Sequence, residues 1–262
     1  MSTRTRRLVD AIFPVPRAPL WIGMYHSIGD PADDPYRVTV SPTRFERQLR
    51  WLRDQGLRGV SMRELLAAHA AGAARDLVGL TFDDGYRDFE TTALPLLRAY
   101  DCTATVFVLP GLLGRDNVWD AEGPRKPLLD AAGIRRIADA GIEVGSHGLH
   151  HVSLPDADDA ALRAETAESR EAVAALSGEE VTGFCYPYGH LDARCVRAVR
   201  DAGYTYACAV DPGGLSSLLA LPRAHVDQRD SAMRLFGKHV LHGLRRSTPV
   251  GLTPARQTAG RS

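Results

Sequence analysis

Short apolar runs alternate with longer amphipathic stretches along most of the chain. Leu20 to His26 reads as a strand, and Ser41-Pro42 then opens a helix, with Ser41 as N-cap and Pro42 at the first helical position. Phe45, Leu49 and Leu52 give that helix its apolar stripe. Val60 to Met62 reads as a short strand, with Ser61 capping a helix through Ala68. Val78 to Phe82 is a strand, a helix lies near Phe89 to Tyr100, and Ala104 to Val108 is the next strand. Residues 109–130, rich in Gly, Pro and charge, predict a loop or lid over a site. A helix near Asp130 to Ala140 leads to the strand Ile142-Glu143-Val144. Pro155 to Ser177 is the longest predicted helix, capped near Asp156 or Asp158 and ended by Gly178. Strand Thr182 to Tyr186, a helix near Ala193 to Ala202, and strands Tyr206 to Val210 and Leu221 to Val226 follow. A last helix is expected over Met233 to Leu244, then a polar, frayed tail.

Strands separated by helices of this length imply parallel β/α units. Periodicity alone leaves closed barrel and open sheet both available. In either, functional residues gather at the C-terminal ends of the strands.

Composition narrows the class. The chain has 262 residues and 44% hydrophobic content, enough for one large domain with a real core. Lys plus Arg and Asp plus Glu both number 32, so the net charge is zero and nothing calls for nucleic acid or an anionic membrane. The cysteines at 102, 185, 195 and 208 form no C-x-x-C pair and no disulfide framework. Four free thiols, no signal-peptide apolar region near the Arg-rich start, and no membrane-length run predict a soluble cytoplasmic protein.

Candidate chemistry sits at the strand ends. Val78 to Phe82 stops at two adjacent carboxylates, Asp83 and Asp84, and a turn at Gly85. Neighbours on a strand point to opposite faces, so the pair suits a division of labour: one Asp on a metal, the other moving a proton. The alternative is an Asp-Gly turn with solvated carboxylates. His147 and His151 are four apart after the strand Ile142 to Val144, the spacing of one helical turn, so both imidazoles could grip one ion. His150 should point elsewhere. One carboxylate plus two imidazoles is a hydrolytic metal set with a position left for water. A third segment, Gly183 to Gly189, is a short strand ending in the aromatic turn Tyr186-Pro187-Tyr188.

In this order the three segments resemble the polysaccharide deacetylases, the carbohydrate esterase family 4 proteins that share the chitooligosaccharide deacetylase homology domain. Thr81 to Gly85 matches the motif T-F-D-D-G in full. His147 and His151 match H-[ST]-x-x-H, with Gly148 in the small-residue slot. Cys185-Tyr186-Pro187-Tyr188 matches R-x-P-Y without its Arg. Met24 to Ile28 and Leu221-Pro222-Arg223 resemble a subgroup of the same family.

The resemblance implies an α/β fold, a distorted barrel of about seven parallel strands in a single domain over 20–244. It also implies a metal-dependent hydrolase that removes an N-acetyl group from an amino-sugar glycan or glycoconjugate. Asp84, His147 and His151 would hold the metal, zinc or else cobalt, nickel or manganese. Asp83 would be the general base, and the Tyr188 N–H would help hold the oxyanion. Tyr186 to Tyr188 could instead simply pack the barrel rim. The general acid is open between His225, which shares a strand face with Arg223, and His26 at the end of the first strand. We expect Arg223 to replace the missing motif arginine; the alternative is a surface pairing with Asp227 or Asp230. Two other functions stay open: an amidohydrolase or deformylase for a small substrate, and a non-catalytic carbohydrate-binding relative.

Overall fold

The computed structural model describes residues 20–238. The extension at 1–19, the tail from 245 and the far end of the last expected helix lie outside the described residues. Within them the order is β1 (Ile22–Tyr25), β2 (Ser27–Ile28), β3 (Thr39–Val40), α1 (Pro42–Asp54), β4 (Arg58–Val60), α2 (Met62–Ala70), β5 (Leu77–Phe82), α3 (Leu94–Ala99) and β6 (Thr105–Val108). There follow α4 (Ala131–Asp139), β7 (Glu143–Ser146), α5 (Asp159–Arg163), α6 (Ser169–Ser177), β8 (Gly183–Cys185), α7 (Ala193–Asp201), β9 (Tyr206–Ala209), β10 (Leu221–Pro222) and β11 (Ala224–His225). Among the described residues no helix is long and apolar enough to cross a membrane.

The main sheet is parallel throughout and runs β10-β9-β8-β7-β6-β5-β1-β11. β10 and β11 are two halves of one stretch with Arg223 between them. The first half pairs with β9 and the second with β1, so the sheet closes on itself. β4 is a partial stave: it pairs with β5 at residues 77–79, and β6 takes over at 81–82. The result is a distorted barrel whose closing stave changes partner at one arginine.

Local chemistry explains the elements. Ser41, Ser61, Asp130, Asp158 and Asp192 each accept a backbone N–H at the start of their helices. Asp158 is thus the cap of the long helical stretch, while Asp156 closes a short 3₁₀ turn, Leu154–Asp156. Gly178 ends α6 at φ 72°, a conformation open to glycine at little cost. Ser61 and Met62 belong to a cap and a helix rather than to a strand, because the Met62 and Arg63 N–H groups turn down onto Thr105 and the buried Glu143.

The barrel interior is filled below the site by Ile22, Phe107, Cys185, Tyr206, Cys208 and Leu221. Glycines make room for the rings. A Cβ at Gly145 would lie 2.6 Å from the Phe107 ring, and one at Gly183 would lie 2.1 Å from the Tyr206 hydroxyl. β7 runs on through Gly145 and Ser146, paired with Phe107 and Val108, past the predicted stop at Val144. The larger apolar layer lies between barrel and helices and includes Phe45, Leu49 and Leu52 of α1.

Two helices widen locally. Phe89–Ala93 is a π-turn ahead of α3, and Pro95 supplies a reason, since it has no N–H to offer and its ring would crowd the carbonyl four residues back. Ala164–Glu168 is a second π-turn, between α5 and α6. It brings Glu165 to the candidate site.

Candidate active site

Asp83 and Asp84 leave β5 in different directions. Asp83 stays in the ladder, donating its N–H to Tyr25 O at 2.9 Å. Asp84 and Gly85 both take left-handed backbone, φ 71° and 68°, which swings the second carboxylate towards β7. Both acids are buried, at 3% and 4% exposure, so each needs a charged or polar partner.

Asp83 finds Arg223. The guanidinium donates Nη1–H to Oδ1 at 2.6 Å and Nη2–H to Oδ2 at 2.7 Å, a parallel fork. Its other N–H groups go to Thr81 Oγ1 at 2.9 Å, Cys185 Sγ at 3.0 Å and Ala209 O at 3.4 Å. All five donors of the side chain are thus engaged. Arg223 comes from the barrel-closing stave and reaches Asp83 across the interior, while Cys185, in the motif's arginine slot, gives only a thiol contact of 3.6 Å. Asp227 and Asp230 have partners of their own in Arg37 and Lys238. Burial pushes the Asp83 carboxyl up, but the adjacent Arg223 charge outweighs it and holds the group below the usual carboxylate range. Burial raises the Cys185 thiol well above its ordinary value, so it stays protonated.

Asp84 faces His147 and His151. Its Oδ1 lies 3.3 Å from Nε2 of each imidazole, and the three side chains form a buried group able to hold one ion. His147 donates Nδ1–H to Cys185 O at 2.8 Å. A carbonyl can only accept, so in the neutral ring Nε2 turns a lone pair towards Asp84. Asp84 Oδ1 is buried and has no hydrogen-bond partner among the described residues. An acceptor oxygen facing an acceptor nitrogen needs a cation between them. Ligands about 2.0–2.1 Å from a tetrahedral zinc would stand roughly 3.3–3.4 Å apart, which matches the spacing found. The residues therefore fit a divalent metal. Without one, burial opposes the charge on Asp84 but the two imidazoles hold its carboxyl well down. The His147 ring is raised against its burial penalty by Asp84, and burial lowers His151.

The spacing of four does not work through a helical turn. Residues 147–151 form a loop, with φ 84° at Gly148 and 60° at His151. The reason lies in Glu165, which the sequence reading missed. Its buried carboxylate accepts the N–H of Leu149 at 2.6 Å and of His150 at 3.2 Å, and pairs with His150 Nδ1 at 3.1 Å. A Cβ at Gly148 would sit 2.5 Å from Glu165 Oε2, so only glycine fits there. Nothing in a polar helical stretch marks one Glu among several. Glu165→Ala leaves two N–H donors without their partner and is expected to cost about 2–3 kcal/mol, lowering Tm by roughly 4–12 °C. A melt within 1–2 °C of the parent would show that the loop holds its shape without the carboxylate.

The acids and imidazoles open into a cavity of about 180 Å³, shared with His26, Trp119, Asp120, Tyr186 and Tyr188. His26 comes from the end of β1 and stands with Nε2 3.9 Å from Asp83 Oδ2. His225 lies beside His26 rather than among the residues that line the cavity. In register with Met24 it sits one layer nearer the rim than Arg223, and its ring packs edge-on against His26 at 6.2 Å, so its link to the site runs through His26. Tyr188 has φ 58°, is 49% exposed, and packs edge-on against His151 at 4.4 Å. Trp119, also missed from sequence, stacks on His151 from the 109–130 segment at 4.4 Å and 20°. An aromatic inside a charged, Gly-rich loop was its available signal. A larger hollow, about 420 Å³, beside Asp88 and Lys126 gathers no carboxylate–imidazole set.

A family model described as polysaccharide deacetylase matches residues 71–207. A Bacillus subtilis (strain 168) protein named "Putative polysaccharide deacetylase YxkH" is 28% identical over 228 residues, covering 85% of this chain and 76% of that one. The poly-beta-1,6-N-acetyl-D-glucosamine N-deacetylase of Staphylococcus aureus (strain MSSA476) is 22% identical over 183 residues, 66% of this chain and 61% of that protein. Among solved structures, the Streptococcus pyogenes deacetylase PplD in complex with acetate shares the fold at TM-score 0.72 and 24% identity, covering 83% of this chain and 96% of that one. The de-N-acetylase from Aggregatibacter actinomycetemcomitans shares it at TM-score 0.68 and 19% identity, covering 83% and 98%.

Proposed function

Because this chain belongs to the polysaccharide deacetylase family, we propose that it removes an N-acetyl group from an amino-sugar glycan or glycoconjugate, using a divalent metal held by Asp84, His147 and His151. One observation carries the reading. A cation-ready triad and a separate, ionised carboxylate meet in one cavity. The substrate class draws support from the S. aureus relative, whose name gives poly-beta-1,6-N-acetyl-D-glucosamine.

When bound, the metal would polarise the amide carbonyl and lower the pKa of a water to about 7; two nitrogens and one oxygen suit zinc, with cobalt, nickel or manganese also able to take the set. The remaining work falls to side chains. Asp83, ionised beside Arg223, accepts the proton of the attacking water. The Arg223 fork holds that carboxylate in one orientation, so the acceptor oxygen does not wander. His26 lines the same cavity and delivers a proton to the departing amine, a role its position favours over that of His225. The Tyr188 N–H donates to the oxyanion as the carbonyl becomes tetrahedral.

The test joins metal content to product. The purified protein is expected to hold one equivalent of divalent metal, to release acetate from N-acetylglucosamine oligomers, and to lose that activity with a chelator until zinc is restored. Formate release from a small formylated amide, with no acetate from the oligomers, would favour the amidohydrolase reading. Oligomer binding with neither metal uptake nor hydrolysis would favour the carbohydrate-binding one.

A further inference from the structure

The two imidazoles reach Asp84 Oδ1 at the same 3.3 Å but are steadied in different ways. His147 is tethered at its far nitrogen by the Cys185 carbonyl at 2.8 Å, which fixes both ring rotation and tautomer. His151 has no such tether. Its Nδ1 is buried and has no hydrogen-bond partner among the described residues. A metal-facing imidazole without a second hydrogen bond is free to turn about its Cβ–Cγ bond unless something blocks it.

What blocks it is a slot of two rings. The Trp119 indole lies nearly parallel to the imidazole, centroids 4.4 Å apart and planes 20° apart. Tyr188 closes the slot edge-on at 4.4 Å and 71°. Turning the imidazole would drive its edge into the indole face. The turn that carries Trp119 is braced by hydrogen bonds. Within it, Asn117 accepts the Lys126 N–H at 2.7 Å and donates to Asp120 at 3.2 Å, and the Tyr86 hydroxyl donates to the same Asp120 oxygen at 3.3 Å.

We propose that Trp119 is a positioning residue for His151, supplying by face-to-face contact the orientation that His147 gets from a carbonyl. The inference rests on the metal reading of Asp84, His147 and His151. It carries a consequence for the 117–120 turn. If the indole orders the ligand, the ordered ligand must in turn hold the indole, so metal loading and packing of this turn stabilise each other by the same factor.

The test uses metal-stripped full-length protein titrated with zinc against a chromophoric chelator, with tryptophan emission recorded in the same titration. Trp119→Leu keeps apolar bulk and loses the flat face; zinc should bind it about three- to tenfold more weakly. Trp119→Phe keeps a ring and should stay within about twofold of the parent. The other two tryptophans pack on each other, centroids 5.9 Å apart. An emission change on zinc addition is therefore expected in the parent and not in Trp119→Phe. Equal zinc affinity in Trp119→Leu and the parent overturns the proposal and leaves Trp119 as a cavity wall only. Should Trp119→Leu fail to fold, a parent protein whose emission ignores zinc overturns it as well. If the parent takes up no equivalent of zinc, cobalt, nickel or manganese, the metal reading itself falls and this inference falls with it.

Discussion

His151→Ala should take the protein from one held divalent metal to a trace after dialysis, with activity falling alongside. The size follows from the ligand set. A structural zinc site with four ligands is worth about 10–16 kcal/mol, roughly 3–4 per ligand, so losing one of three weakens binding on the order of 10²–10³-fold. Asp84 and His147 would remain, and His147 would keep its Cys185 tether. Far-ultraviolet circular dichroism should match the parent, because His151 lies in a loop outside the strands and helices. Asp84→Asn is the companion variant, since it keeps the shape and removes the charge. Full metal occupancy in His151→Ala would sink the ligand assignment, however much activity was lost.

The second large effect belongs to the Asp83–Arg223 pair. Asp83→Asn is expected to keep the metal and lose about two or more orders of magnitude in turnover, as for loss of a general base. It should also melt lower. Removing one member of a buried, forked pair strands the other charge, at a cost of about 3–5 kcal/mol. Turnover is therefore to be measured well below the new melting temperature. Arg223→Lys separates orientation from charge. An ammonium keeps the charge but has three donors in place of five and no planar fork, so the two Asp83 oxygens, Thr81, Cys185 and Ala209 cannot all be served at once. Most of the activity should go with it, on the order of 10–100-fold, while Cys185→Ala should cost little. Full activity in Arg223→Lys would mean that Asp83 is organised in some other way.

Much of this was legible from residue order. Caps at Ser41 and Ser61 and the stop at Gly178 are short-range chemistry, and they fall where the sequence places them. The Asp pair and the two His residues stand at strand ends because α/β barrels put such residues there, and the structure brings Asp84, His147 and His151 together. Other features depend on contacts between distant segments. Four-residue spacing suggested a helical turn at His147, but the loop there is shaped by Glu165, a carboxylate placed by a π-turn that no periodicity announces. Strand alternation put His225 beside Arg223 in the site; where the closing stave changes partner, His26 already lines the cavity. Trp119 stood in a segment read only as a lid.

Asp84, His151 and Tyr188 all hold left-handed backbone, a conformation in which a side chain costs about 1–2 kcal/mol and glycine almost nothing. Asp33, Arg37 and Asp101 hold the same conformation away from the candidate site, so the same gain is open there without touching the proposed chemistry. A population kept under selection for heat resistance alone should drift at all six, towards glycine or asparagine, and lose the site as it becomes sturdier. While activity is selected, the same arithmetic pushes stabilising change away from Asp84, His151 and Tyr188 and towards Asp33, Arg37 and Asp101.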